Sequence, residues 1–381
     1  MLYLDHNATT PMAPAVLEAM LPVLTNVWAN PSSQHQAGQD ARRVLAQARA
    51  TVARALGCRI AEVIFTSGAT ESNHMAVRGL LGAAPTARRR VLFGSVEHAS
   101  HLRLADALGR EGLNVQRIPV LCDGTLDMVA AQTLITEEVA LVSLMAANNE
   151  TGALMSLAPV AAWAQAAGAR LHVDATQLIG KLAFSFSSCG ADAVSLSAHK
   201  FHGPRGAGAL LLRHGVPFAS PICGSQERGR RGGTENLAGI VGLAAALELL
   251  GDLDADSARV VALRDTLERG LCQALPSTHI WSANVPRLPG TSYLRFGMLS
   301  ADVVLQRMGL LGIAASSGAA CSSGGTAPSH VLSAMGVSED EALCALRFSL
   351  GRSSTQEEVM RVLQALPPLL HPLLRGELLA A

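Results

Sequence analysis

Long apolar runs, an excess of one charge, paired cysteines and aromatic side chains are what this chain has least of. Thirty basic residues balance thirty acidic ones, so bulk attraction to nucleic acid or to an anionic membrane is not expected. The longest apolar window, Ala238 to Leu250, is interrupted by Glu248 and is too short to span a bilayer. The opening MLYLDHNATT puts Asp5 and His6 where a secretory leader needs an apolar run, so a soluble protein is expected. Seven cysteines are scattered and never spaced C-x-x-C, which argues against a disulfide framework and a structural zinc site. A reducing, cytoplasmic setting follows as an expectation. Aromatics are 3% of residues, whereas 49% are hydrophobic and Gly occurs 35 times, a composition that suits a tightly packed α/β enzyme.

At 381 residues the chain is long for one core, so two domains are expected. Helical patterns over 13–27 and 37–56 precede an alternation of short apolar runs and helices. Strands are expected at 63–66, 91–93, 115–120, 139–145, 171–173, 193–196 and 208–212, with helices at 70–81, 99–110, 125–134 and 159–167. Such alternation predicts a mostly parallel seven-stranded sheet with helices on both faces. After Gly251 the order loosens: a helix over 258–274, strands at 278–282 and 291–296, a helix over 301–309, a Ser/Gly-rich loop, a strand near 345–349 and a helix over 355–365. We therefore expect a large α/β domain over 13–251 and a smaller α+β domain from 1–12 and 252–381.

Several stretches carry chemistry. In AVSLSAHKFHGPRGAG a strand ends in polar residues and one lysine, Lys200, before a run of glycines. A lysine held beside apolar sequence can serve as a Schiff-base amine, although alone the commoner reading is an ordinary loop lysine. Thr66 to Asn73 joins a strand to a helix, and Gly68 with Thr70 there would make an anion site or a plain helix cap. Asp174 stands at the end of a buried strand, where a cationic ring nitrogen or a helix-capping role would suit it. His98 follows a strand, placed to stack on a ligand or move protons, or to be structural. Met145 to Gly152 is a third polar strand end. An amine, an acid, an anion site and a stacking group on one rim are the inventory that pyridoxal phosphate needs. Cys321 sits among small residues in the loop at about 315–328, as a reactive thiol or a bystander.

These stretches together resemble the cysteine desulfurases of the NifS/IscS type, in the class V aminotransferase family of fold type I pyridoxal phosphate enzymes. The resemblance runs from YLDHNATTP through ANPSSQH, FTSGATESN, VEHAS, ANNETG, HVDATQ, SLSAHKFHGPRGAG, QERGRRGGTEN and SSGAACSSG to LRFSLGR at Leu346. It implies that Lys200 bonds the cofactor as an imine and that Asp174 keeps its ring nitrogen protonated. Gln177 and Asn149 would bond near its phenolic oxygen, and His98 would stack on the ring. Ala69, Thr70, Ser197 and His199 would hold the phosphate, and Thr234 would reach the phosphate in a partner subunit, which implies a homodimer. Arg347 would clamp the carboxylate of L-cysteine in a bidentate pair, with Asn149, Asn7 and Asn30 on the substrate side.

By the same resemblance, Cys321 attacks the substrate sulfur, leaving L-alanine and a persulfide on a mobile loop. An iron–sulfur scaffold or another sulfur-acceptor protein would receive the sulfur, with Cys321 in transient contact with a cluster on the scaffold. No resident metal is implied. Ala319 stands where serine is frequent, Ala327 where an acid is common, and ANPSS replaces GNPSS. The short C-terminus points to a specialised, nitrogen-fixation-type member. A selenocysteine lyase or a transaminase on the same fold is the alternative, and a loop thiol has no use in a transaminase.

Overall fold

The computed structural model describes residues 1–317 and 327–376. Its strands are β1 (Leu2–Tyr3), β2 (Val63–Thr66), β3 (Arg90–Gly94), β4 (Asn114–Ile118), β5 (Val139–Met145), β6 (Arg170–Asp174), β7 (Ala193–Ser197) and β8 (Gly208–Leu212). They continue with β9 (Thr278–Trp281), β10 (Thr291–Phe296), β11 (Ile313–Ala314), β12 (Ser316–Ser317) and β13 (Leu346–Ser349). Seven of them form one sheet in the order β2-β8-β7-β6-β5-β3-β4. All pairings in it are parallel except those of β8 with β2 and β7. The exception has a local cause. Strands β3 to β6 are each reached through a crossover helix, whereas β7 turns into β8 through 198–207, too short a link for a parallel crossover.

Every residue of β5 is buried, as a strand covered on both faces requires. Helix Leu237–Glu248, apolar almost all round, is buried against helices Pro14–Asn26 and Gln36–Ala55. The sequence reading noted that window only as too short to cross a membrane; tertiary packing makes it an interior helix. Among the described residues no helix is long and apolar enough to cross a membrane.

A second, antiparallel sheet runs β12-β13-β10-β9, and β1 pairs in parallel with β11. A hydrophobic cluster of its own gathers Leu2, Leu4, Leu267, Phe296, Phe348 and Leu366 beside this sheet. The last helix, Gln356–Leu374, runs past the expected end at 365 and contains Pro367, Pro368 and Pro372. Leu366, Pro367 and Leu370 are buried, and that burial outweighs the lost backbone donors.

Candidate active site

Strands β2, β3, β5, β6 and β7 run in the same direction, so their C-terminal ends share one rim. Around it lies a cavity of about 480 Å³ whose wall includes Ala69, Thr70, His98, Asn149, Asp174, Gln177, Ser197, His199 and Lys200. Residues spread from 69 to 200 in sequence therefore meet because the sheet is parallel. Ligands bind at this end of open α/β sheets.

One side of the cavity is the start of helix Ala69–Gly82, whose first N–H groups have no partner within the helix. Gly68, at φ 155°, lets the chain enter the helix there. A Cβ on Gly208 would lie 2.6 Å from the Gly68 Cα, so only glycine allows β8 to pass so close. Glu71 accepts from the Ser67 N–H at 2.7 Å and from Arg231 Nε at 2.8 Å. Burial opposes its charge, but these bonds prevail and hold the carboxyl below its ordinary range.

Deeper in, Asp174 accepts from Asn73 Nδ2 at 2.6 Å and from the Thr176 N–H at 2.9 Å. Its carboxylate is thus oriented before any ligand arrives. The His98 Nδ1 lies 2.8 Å from the Ser100 hydroxyl. Burial and the nearby Lys200 push the imidazole below its usual pKa, against the pull of Asp174. Glu97, buried beside it, accepts from the Met145 N–H at 2.8 Å, and burial drives its carboxyl well above the ordinary range.

The Lys200 Nζ donates to the carbonyls of Asn7 at 2.6 Å and Ala8 at 2.9 Å. Asn7 does not line the large cavity, although the resemblance put it on the substrate side. It is buried as a hub: its carbonyl also accepts from Gln177 Nε2 at 2.9 Å, and its Nδ2 donates to the Asn149 carbonyl at 3.2 Å. Arg347 donates to that same Asn149 carbonyl through Nη1 at 2.9 Å and to Asp5 through Nη2 at 2.7 Å. Asn30 and Thr234 are exposed and outside the cavity wall, with Asn30 Oδ1 accepting from the Ser32 N–H at 2.8 Å. Cys321 lies outside the described residues.

Sequence reasoning assigned no role to Asn73, Glu71, Glu97, Asp5 or Lys181. The first four stood inside quoted motifs, close to residues that were singled out. Lys181 had no signal beyond being a lysine after a glycine.

The model of the class-V aminotransferase family matches residues 2–362. The chain belongs to this family. It is 46% identical to a cysteine desulfurase of Cereibacter sphaeroides, over 98% of this chain and 96% of that one. To the cysteine desulfurase NifS of Azotobacter vinelandii it is 41% identical, over 97% and 92%. Among solved structures, a NifS-like protein superposes with a TM-score of 0.90 at 34% identity, covering 97% of this chain and 99% of that one. SspA in complex with cysteine gives 0.82 at 31%, covering 93% and 100%.

Class-V aminotransferases use pyridoxal 5'-phosphate, and the residues of this member fit that group. An amine, an oriented carboxylate and an open helix N-terminus face one cavity. Among the described residues, Asn73 Oδ1, Asn149 Oδ1 and Thr176 Oγ1 of the cavity wall are buried without a hydrogen-bond partner, which a polar ligand would relieve.

Proposed function

We propose that this class-V aminotransferase is a pyridoxal phosphate-dependent cysteine desulfurase, converting L-cysteine to L-alanine and leaving a persulfide on Cys321. The observation that carries the reading is the meeting of Lys200, Asp174 and His98 on one cavity, in a chain so similar to cysteine desulfurases. Bound at Lys200, pyridoxal phosphate supplies an electron sink for negative charge developing beside the substrate's amino group.

The chain's own groups do the rest. Ala69, Thr70, Ser197 and His199 would hold the phosphate, Asp174 would pair with the ring nitrogen, and Gln177 and Asn149 would bond the phenolic oxygen. Burial favours neutral His98, which can then accept a proton. Lys200 Nζ, released from the Asn7 and Ala8 carbonyls, moves protons at the substrate's α and β carbons. Arg347 receives the substrate carboxylate, and Asn30 and Asn7 order the surrounding segments. The Cys321 thiolate attacks the substrate sulfur: an S–S bond forms, the C–S bond breaks, and the carbon takes a proton to become the methyl group of alanine.

The acceptor we infer is a partner protein, an iron–sulfur scaffold or one serving nitrogenase maturation, which Cys321 meets in the cytoplasm. A homodimer is supported by Thr234, which is exposed and outside the wall of this chain's own cavity. Leu17, Leu21 and Leu24 add an exposed apolar row on helix Pro14–Asn26, with exposed Trp28 just past its end, suited to a second copy. Residues 13–251 make the large domain, and 1–12 with 252–381 the small one.

The test is incubation of the holoenzyme with L-cysteine, assaying alanine, sulfide and protein persulfide, with Cys321→Ala alongside. Alanine equal to the sum of sulfide and protein persulfide is expected from the parent. Sulfide release by Cys321→Ala at the parent rate would overturn the nucleophile assignment.

A further inference from the structure

Lys181 is a second half-buried amine beside the site that the reaction as described does not use. It follows the turn after β6, and its Nζ donates to Asn7 Oδ1 at 2.7 Å and to Gln177 Oε1 at 2.6 Å. Both acceptors belong to amides that also touch the Lys200 site: the Gln177 Nε2 and Lys200 Nζ share the Asn7 carbonyl. With Lys200 it lines a second, small cavity of about 40 Å³, together with His6, Asp256 and Arg352.

A side-chain amide presents an acceptor on one end and donors on the other, nearly identical in shape, so either end fits a given space. A lysine amine has hydrogens to give to both oxygens. Placed between Asn7 and Gln177, it therefore turns both oxygens toward itself. Gln177 must then point its NH₂ away, toward the Lys200 side, and Asn7 must point its NH₂ toward Asn149 and Thr291.

We propose that Lys181 is a positioning residue that locks the amide orientation of Gln177, and with it the donor offered to the phenolic oxygen of pyridoxal phosphate. The inference rests on the pyridoxal phosphate reading above. Burial, with Lys200 and Arg347 nearby, holds the Lys181 ammonium well below its usual pKa. A neutral amine still has two hydrogens for its two oxygens, so the lock does not need the charge.

The test compares Lys181→Met and Lys181→Arg with the parent as holoenzymes, following the visible absorbance of the bound cofactor from about pH 6 to about pH 10. With methionine only the Asn7 carbonyl still restrains the Gln177 amide; its oxygen then turns inward part of the time, and the phenolic oxygen loses part of a donor that favoured its charged form. The absorbance midpoint is expected to rise by about one pH unit, and the Kd for pyridoxal phosphate by about tenfold. Arginine keeps the donors and should restore most of both. A midpoint and Kd in Lys181→Met equal to the parent's would overturn the inference. If the methionine protein does not fold, Lys181→Leu, which also has no donor, carries the test, and a parental midpoint there overturns it equally. A parent that binds no pyridoxal phosphate would instead overturn the cofactor reading itself.

Discussion

The Arg347 guanidinium is already engaged on both terminal nitrogens, by the Asp5 carboxylate at 2.7 Å and by the Asn149 carbonyl at 2.9 Å. A substrate carboxylate arriving at this fork meets Asp5 as a competitor for Nη2. Asp5→Asn keeps an acceptor of the same shape and removes the competing charge, so L-cysteine and L-alanine should bind several-fold tighter (~1 kcal/mol). Steady-state KM and alanine inhibition check this. A higher KM would mean that the pair holds Arg347 in place and does not compete. Arg347→Lys, which loses the planar fork, should raise KM by about a hundredfold.

Gly208→Ala drives a methyl into the Gly68 backbone, 2.6 Å away, at the mouth of the helix that would hold the phosphate. Pyridoxal phosphate affinity should fall by about tenfold or more, read by equilibrium dialysis, because backbone cannot yield as a side-chain tip can. Unchanged affinity would remove the phosphate from this helix start.

Glu227 and Arg228 both sit in left-handed backbone, at φ 49° and 60°, in the segment leading to Thr234. A buried bidentate pair holds them, Arg49 to Glu227 at 2.6 and 2.7 Å, with the Phe65 N–H added at 3.1 Å. Glu227→Gln leaves the Arg49 charge buried without its partner, and about 3 kcal/mol of stability should be lost, offset in part by any strain the freed backbone releases. Urea unfolding of the holoenzyme measures it, and a loss under about 0.5 kcal/mol would show that the pair is not what holds the segment.

Acid should destabilise the fold through the histidines under the site. His172 is buried between the Ser143 and Ser195 hydroxyls, and burial lowers its pKa to about 4; His101, on the same Ser143, is pushed well below its usual value. Both pKa values are depressed on folding; the His172 contribution is present above about pH 6.5 and lost as pH falls toward about 4, and His101 acts in the same direction. In thermal melts across that window, His172→Asn should flatten the decline. An equally steep decline would place the acid sensitivity elsewhere.

The residues alone carried a great deal here, for a physical reason. Largely apolar runs such as Val139 to Met145, with Ser143 as the one polar residue, separated by helical patterns, admit little besides a covered parallel sheet. That sheet in turn sends the ends of β2, β3, β5, β6 and β7 to one rim, so Thr70, His98, Asn149, Asp174 and Lys200 could be read as one site before any coordinates. What sequence could not reach were relations between segments far apart in the chain. Nothing near Asn7 says that its carbonyl takes the Lys200 amine, nor that Asp5 holds Arg347, since 342 positions separate that pair. Lys181 is the plainest case: a lysine becomes a lock only when folding buries its amine between two particular amide oxygens. Residue type and spacing determined the site's chemistry, and tertiary packing decided which groups orient the ones that react.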